Sequence, residues 1–137
     1  MENRYLFPRQ EMRSPYPFLT EADFVRLMAL QPDVALRAEL ERAIVVAPDA
    51  IPAGVVTMGS ELRYRDEYAG VTRRIRIVYP EDADIERGRV SVLAPVGAAL
   101  IGLEAGQAID WKFPSGEVRR LRVEEVFGQP AMLEPAA

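Results

Sequence analysis

From Thr20 onward the apolar positions fall at a helical interval, with Phe24, Leu27 and Met28 on one side. Thr20-Glu21-Ala22-Asp23 has the form of a capping box, with Asp23 supplying the carboxylate at the third helical position. The pattern predicts a helix over residues 20–30, closed before Pro32 because the residue preceding a proline avoids helical backbone. Leu36, Leu40, Ala43, Ile44 and Ala47 form a second apolar stripe and predict a helix over roughly 34–46. Arg37 and Glu41 can pair on its outer face. The connection Gln31-Pro32-Asp33 is short, so residues 19–47 read as an antiparallel helical hairpin, a short coiled coil.

After the proline- and glycine-rich linker PDAIPAG, residues 48–54, the period changes to two. Leu62 and Tyr64 alternate with Arg63 and Arg65, and Ile75, Ile77 and Tyr79 alternate with Arg74 and Arg76. These are strands with one apolar and one basic face, joined by a turn at Glu67-Tyr68-Ala69-Gly70. A polar loop, 79–88, leads to a short strand at Val90-Ser91-Val92-Leu93. Pro95 then opens a short apolar helix, where its missing N–H costs nothing, and Gly102 or Gly106 supplies a left-handed ending. Ala108 to Phe113 and Val118 to Phe127 are two further strands about the turn Pro114-Ser115-Gly116-Glu117. The resulting fold class is α+β: a short helical hairpin followed by an antiparallel sheet of about five strands carrying one short helix. Residues 1–18, interrupted by Pro8, Pro15 and Pro17, read as an extended arm. Its aromatic side chains either pack on the domain or form a docking or dimerising surface.

Composition narrows the chemistry. The chain contains no histidine and no cysteine, so it can build neither a Ser-His or Cys-His nucleophile pair nor the usual Cys/His zinc site. A formal net charge of −4 argues against a general nucleic-acid coat. No apolar run is long enough for a membrane span, and the first residues lack the order of a signal peptide, so cytoplasmic residence is expected.

Four features could carry function. The glycines of Ala94 to Trp111 suggest a phosphate loop, but Gly106 is followed by Gln107-Ala108 where Lys-Ser/Thr is needed. The acids of Glu81 to Glu86 lack the spacing of a calcium loop. Arg63, Arg65, Arg74, Arg76, Arg120 and Arg122 either meet an acidic partner or are balanced by Glu61, Glu117 and Glu124. Asp33, the one acid at the hairpin tip, suits a helix N-cap.

The segments VVTMGSELRYRD and IVYPEDADIERGRVSVLAPVGAALIGLEAGQAIDWKFPSGEVRRLRVEEV, in this order, resemble the C-terminal domain of the GreA/GreB transcript-cleavage factors over residues 51–127. Pro80 to Asp84 and Ser91 to Gly106 are the most specific parts, and the short hairpin with VVTM is most similar to the Rnk type, regulators of nucleoside diphosphate kinase. The resemblance implies an FKBP-like domain over 51–137 that docks at the rim of the RNA polymerase secondary channel, any association with DNA running through the polymerase. It implies that Leu93, Ala94 and Pro95, the loop entering the short helix, make the contact. Pro95 matches the Gre pattern, while Leu93 and Ala94 replace its polar residues. Gre factors insert a long coiled coil whose two tip acids hold a magnesium ion. A helix over residues 20–30 is only about 16 Å long, and its tip offers Asp33 alone. The expectation is a polymerase-binding regulator that does not stimulate cleavage, with no catalytic residue, metal or cofactor of its own. The alternatives are an FKBP-like prolyl isomerase and a regulator that binds nucleoside diphosphate kinase directly; the oligomeric state stays open.

Overall fold

The computed structural model describes residues 16–128. Thr20 begins the first helix as expected: its hydroxyl accepts a hydrogen bond from the Asp23 N–H at 3.1 Å, and helix α1 runs Glu21–Ala29. Asp33 caps the next helix in the same way, its carboxylate accepting from the Leu36 N–H at 3.0 Å, and α2 runs Val34–Glu41. Here the expected helix to residue 46 is corrected. Arg42 closes α2, and the β-branched run that follows leaves helical backbone. Ile44–Val46 forms strand β2, paired in parallel with β1, Phe18–Thr20. Phe18, expected at the end of an extended arm, therefore opens a strand; residues 1–15 lie outside the described residues.

Five strands form the main sheet: β3 Glu61–Asp66, β4 Val71–Val78, β5 Arg89–Ser91, β6 Ala108–Lys112 and β7 Val118–Gly128, in the order β5-β4-β3-β7-β6. Its pairings are antiparallel with one exception that corrects the expected all-antiparallel sheet. Strand β5 lies parallel to β4, Ile77 opposite Val90. The polar loop 79–88 holds two 3-10 turns, Pro80–Asp82 and Ile85–Arg87, and is long enough to bring the chain back alongside the last residues of β4, Arg76 to Val78. The third helix, α3, runs Pro95–Leu100.

Alternation sorts the sheet into two faces. Leu62, Tyr64, Ile75, Ile77, Leu121 and Val123 point inward against Ala98, Ala99 and Leu100 of α3. Outward-facing arginines meet outward-facing acids: Arg63 with Glu124 at 2.9 Å, Arg74 with Glu61 at 2.6 Å, Arg120 with Asp110 at 2.9 Å and Arg122 with Glu67 at 3.2 Å. Internal balance holds for five of the six arginines; Arg65 meets only the Thr72 hydroxyl, and Glu117, expected among the balancing acids, turns to Arg119 instead. Each exposed pair contributes at most about 1 kcal/mol, so the network sets surface charge more than stability.

The two helices do not stand apart from the sheet. Leu19, Leu27, Leu36 and Leu40 are almost wholly buried in the same apolar cluster as Val56, Leu62 and Leu100. Polar contacts add direction. The Phe18 N–H donates to the Gly102 carbonyl at 3.1 Å, and the Tyr79 hydroxyl donates to Asp23 at 2.8 Å. Burial, then this hydrogen bond, pushes the Tyr79 pKa up, so the phenol remains a donor at neutral pH. Arg26 stacks over the Tyr79 ring, 3.6 Å from its centre, and reaches Glu81 at 2.6 Å. Gly102 sits at φ +86°, and a Cβ there would meet Pro17 Cα at 3.1 Å and the Phe18 nitrogen at 3.2 Å. The glycine thus serves both the turn after α3 and the seating of the N-terminal strand. Among the described residues, no helix is long and apolar enough to cross a membrane.

Candidate functional site

The loop Leu93-Ala94-Pro95 is held by the strand before it and the helix after it. The Val92 N–H donates to the Val78 carbonyl at 2.8 Å, tying the loop to β4. The Ser91 hydroxyl accepts from the Leu93 N–H at 3.0 Å, and the Ser91 carbonyl accepts from the Ala94 N–H at 3.0 Å. Ala94 is the extended N-cap of α3, and Pro95 occupies the first turn, where its fixed φ suits helix entry. These bonds leave the Leu93 side chain pointing outward, 41% exposed.

Two grooves flank this loop, and Pro95 and Phe113 line both. One, of about 500 Å³, is walled by Leu93, Pro95, Ala98, Trp111, Lys112 and the loop end of α2, including Asp33. The other, of about 530 Å³, is walled by Ala94, Pro95, Val96, Val90, Ile75 and Tyr64, with Arg73 and Ile85 at its edge. The four residues singled out in the sequence, Leu93, Ala94, Pro95 and Asp33, are thereby gathered in one region. Asp33 arrives there because the helices lie on the sheet, and its carboxylate is already engaged in capping α2. Glu81 and Asp84 of the acidic loop are turned to Arg26 and Arg87 respectively.

Other members of this surface went unnoticed in the sequence. Phe113 follows β6, and the Arg119 guanidinium lies 4.5 Å from the centre of its ring. Arg73 stands opposite Tyr64 in the β3–β4 register, on the face shared with Ile75 and Ile77. The period of two carried the signal: in Arg73-Arg74 the two side chains must point to opposite faces.

Residues 51–127 match the family model described as "Transcription elongation factor, GreA/GreB, C-term". A regulator of nucleoside diphosphate kinase from Escherichia coli (strain K12) is 43% identical over 96 residues, covering 70% of this chain and 71% of that protein. A transcription elongation factor GreA from Thermodesulfovibrio yellowstonii is 36% identical over 80 residues, which span 58% of this chain and 51% of the GreA. Among solved structures, a prokaryotic transcription elongation factor GreA/GreB from Nitrosomonas europaea superposes with a TM-score of 0.64 at 41% identity, over 82% of this chain and 98% of that one. With the family match extending from the linker through β7, and with relatives of this identity, the chain belongs to the GreA/GreB family of transcription elongation factors, by its C-terminal domain.

Proposed function

We propose that this protein binds RNA polymerase at the rim of the secondary channel through Leu93, Ala94 and Pro95 and leaves transcript cleavage unstimulated. The observation that carries the second half is the length and placement of the helices. Helix α1 has 9 residues, about 14 Å at the usual rise, and the leucines of both helices are spent on the core. Such a pair has no free length to enter a channel. The acid at its turn, Asp33, is the N-cap of α2 rather than half of a metal-binding pair. On this reading residues 21–41 are a folded-down hairpin, residues 51–137 an FKBP-like domain, and the protein occupies the rim in competition with longer-armed factors. It works in the cytoplasm, as a regulator and not an enzyme.

Purified polymerase in backtracked complexes tests this. The protein alone is expected to release no cleaved transcript, and in excess it is expected to suppress cleavage stimulated by a GreA factor. Cleavage that disappears in Asp33→Asn would overturn the proposal. Leu93→Asp separates contact from folding. Because Leu93 is exposed, melting is expected to stay within about 0.5 kcal/mol of wild type, while affinity for polymerase falls about tenfold or more.

A second reading, direct regulation of nucleoside diphosphate kinase, is favoured by the name and 43% identity of the Escherichia coli relative. Pull-downs with purified polymerase and purified kinase, each at low and high salt, distinguish the two.

A further inference from the structure

Most of the described arginines are engaged with acids of the same chain. On the outer face of the sheet, Arg63, Arg74, Arg76, Arg120 and Arg122 each lie within 3.4 Å of a carboxylate oxygen. On the inner face, Arg119 reaches Asp66 at 3.0 Å and Glu117 at 2.8 Å. Arg37, Arg65, Arg73 and Arg89 form no ion pair among the described residues, and Arg73 is the one of these that lines a groove beside the loop. It is exposed and stands on the inner face opposite Tyr64. Its charge acts on the Tyr64 phenol, offsetting part of the upward push that burial gives that group. It also lines the groove of about 530 Å³, together with the apolar Ile75, Val90 and Val96 and with Arg74, which is paired to Glu61. Across the mouth, Ile85 is left 78% exposed. An unpaired cation beside an apolar trough is complementary to a polypeptide segment that offers a carboxylate next to an apolar side chain. A nucleic-acid backbone fits poorly, since phosphate binding draws on several cations together and the chain as a whole carries −4.

We propose that Arg73 pairs with an acidic side chain of the RNA polymerase segment that docks here, while the adjoining groove seats an apolar residue of the same segment. This rests on the polymerase-binding reading and extends it to the chemistry of the partner. Loop Leu93-Ala94-Pro95 supplies apolar contact, and Arg73, which lines the same groove as Ala94 and Pro95, supplies the sign of charge that the partner must match. The same residue rejects segments that carry a basic side chain at that place.

The experiment measures binding of the full-length protein to purified polymerase at two salt concentrations. Arg73→Glu is expected to lower affinity more than tenfold, Arg73→Lys to stay within about threefold, and Arg73→Ala to flatten the salt dependence. Arg122→Ala, on the opposite face of the sheet, is expected to bind as wild type does. Equal melting temperatures for all four exclude unfolding as the cause. Failure of the wild type to bind overturns the proposed function; wild-type binding that Arg73→Glu leaves unchanged overturns this inference alone. The segment 129–137 of the same chain also carries apolar side chains beside an acid, Met132, Leu133 and Glu134, so its deletion is the control for an occupant from within the chain. If deleting them abolishes the effect of Arg73→Glu, the groove belongs to that segment and the inference falls.

Discussion

Replacing Leu100 with asparagine is expected to leave the protein largely unfolded at temperatures where the wild type is native. Leu100 is fully buried, at the end of α3, within the cluster that joins the sheet to Leu27, Leu36 and Leu40 of the N-terminal helices. The substitution loses the transfer free energy of a buried leucine side chain, about 2–3 kcal/mol. It also places an amide among apolar side chains that offer it no hydrogen bond, a further cost of about 1–3 kcal/mol. The sum, about 3–6 kcal/mol, is comparable to the whole stability of many domains of this size. Urea denaturation followed by circular dichroism checks it; a midpoint shift worth less than about 1 kcal/mol would mean that the site repacks around the amide and that α3 is not the keystone described here. The contrast with Leu93→Asp is the functional point. Seven positions apart, one leucine is buried in the core and the other is exposed, where the proposed function places the contact with a partner.

The parts of this fold that were readable in the sequence are those fixed by local periodicity and local backbone chemistry. Alternation placed β3, β4, β6 and β7 to within about a residue because each strand has one buried and one solvated face. Thr20 and Asp33 announced two helix starts because capping is a contact across three residues. What was missed depends on partners distant in the chain. Ile44–Val46 has apolar residues where a helix would also put them, and only Phe18–Thr20, some 26 positions earlier, decides that it is a strand. The parallel placement of β5 depends on how two 3-10 turns fold back, which no period encodes. The candidate site follows the same division. Pro95 and its loop were legible from motif resemblance, whereas the grooves are made where Asp33, Pro95 and Phe113 converge from three separate stretches. The balance of the arginine face became decidable only once the strand register set Arg63 beside Glu124 and left Arg73 without an ion pair among the described residues.

Gly97→Ala should damage stability and polymerase binding together, through a single added methyl group. Gly97 lies in the middle of α3, where alanine is ordinarily the better helix former, by about 1 kcal/mol. Here that preference is overruled by contact. A Cβ at Gly97 would stand 2.9 Å from Val92 Cα and 3.0 Å from the Ser91 carbonyl carbon, and closer still to the Ser91 oxygen. These atoms are backbone and cannot rotate aside, so α3 must separate from the chain that precedes it. That chain is anchored to β4 by the Val92–Val78 hydrogen bond and carries Leu93, Ala94 and Pro95. The displacement therefore falls on the loop itself. Overpacking of this kind costs about 1–3 kcal/mol, of which the helical preference of alanine offsets at most about 1 kcal/mol. Binding is expected to fall about tenfold or more even at temperatures where the variant is folded, because a contact surface displaced by an ångström loses its complementarity. Thr20→Ala separates the two effects: it removes the α1 cap at a cost of about 1 kcal/mol without touching the loop, and should leave affinity unchanged. If Gly97→Ala and Thr20→Ala reduce binding in proportion to the stability each loses, the loop is not the contact surface. If Gly97→Ala binds as wild type does while melting earlier, α3 moves without carrying Pro95 with it, and the contact lies elsewhere on the sheet.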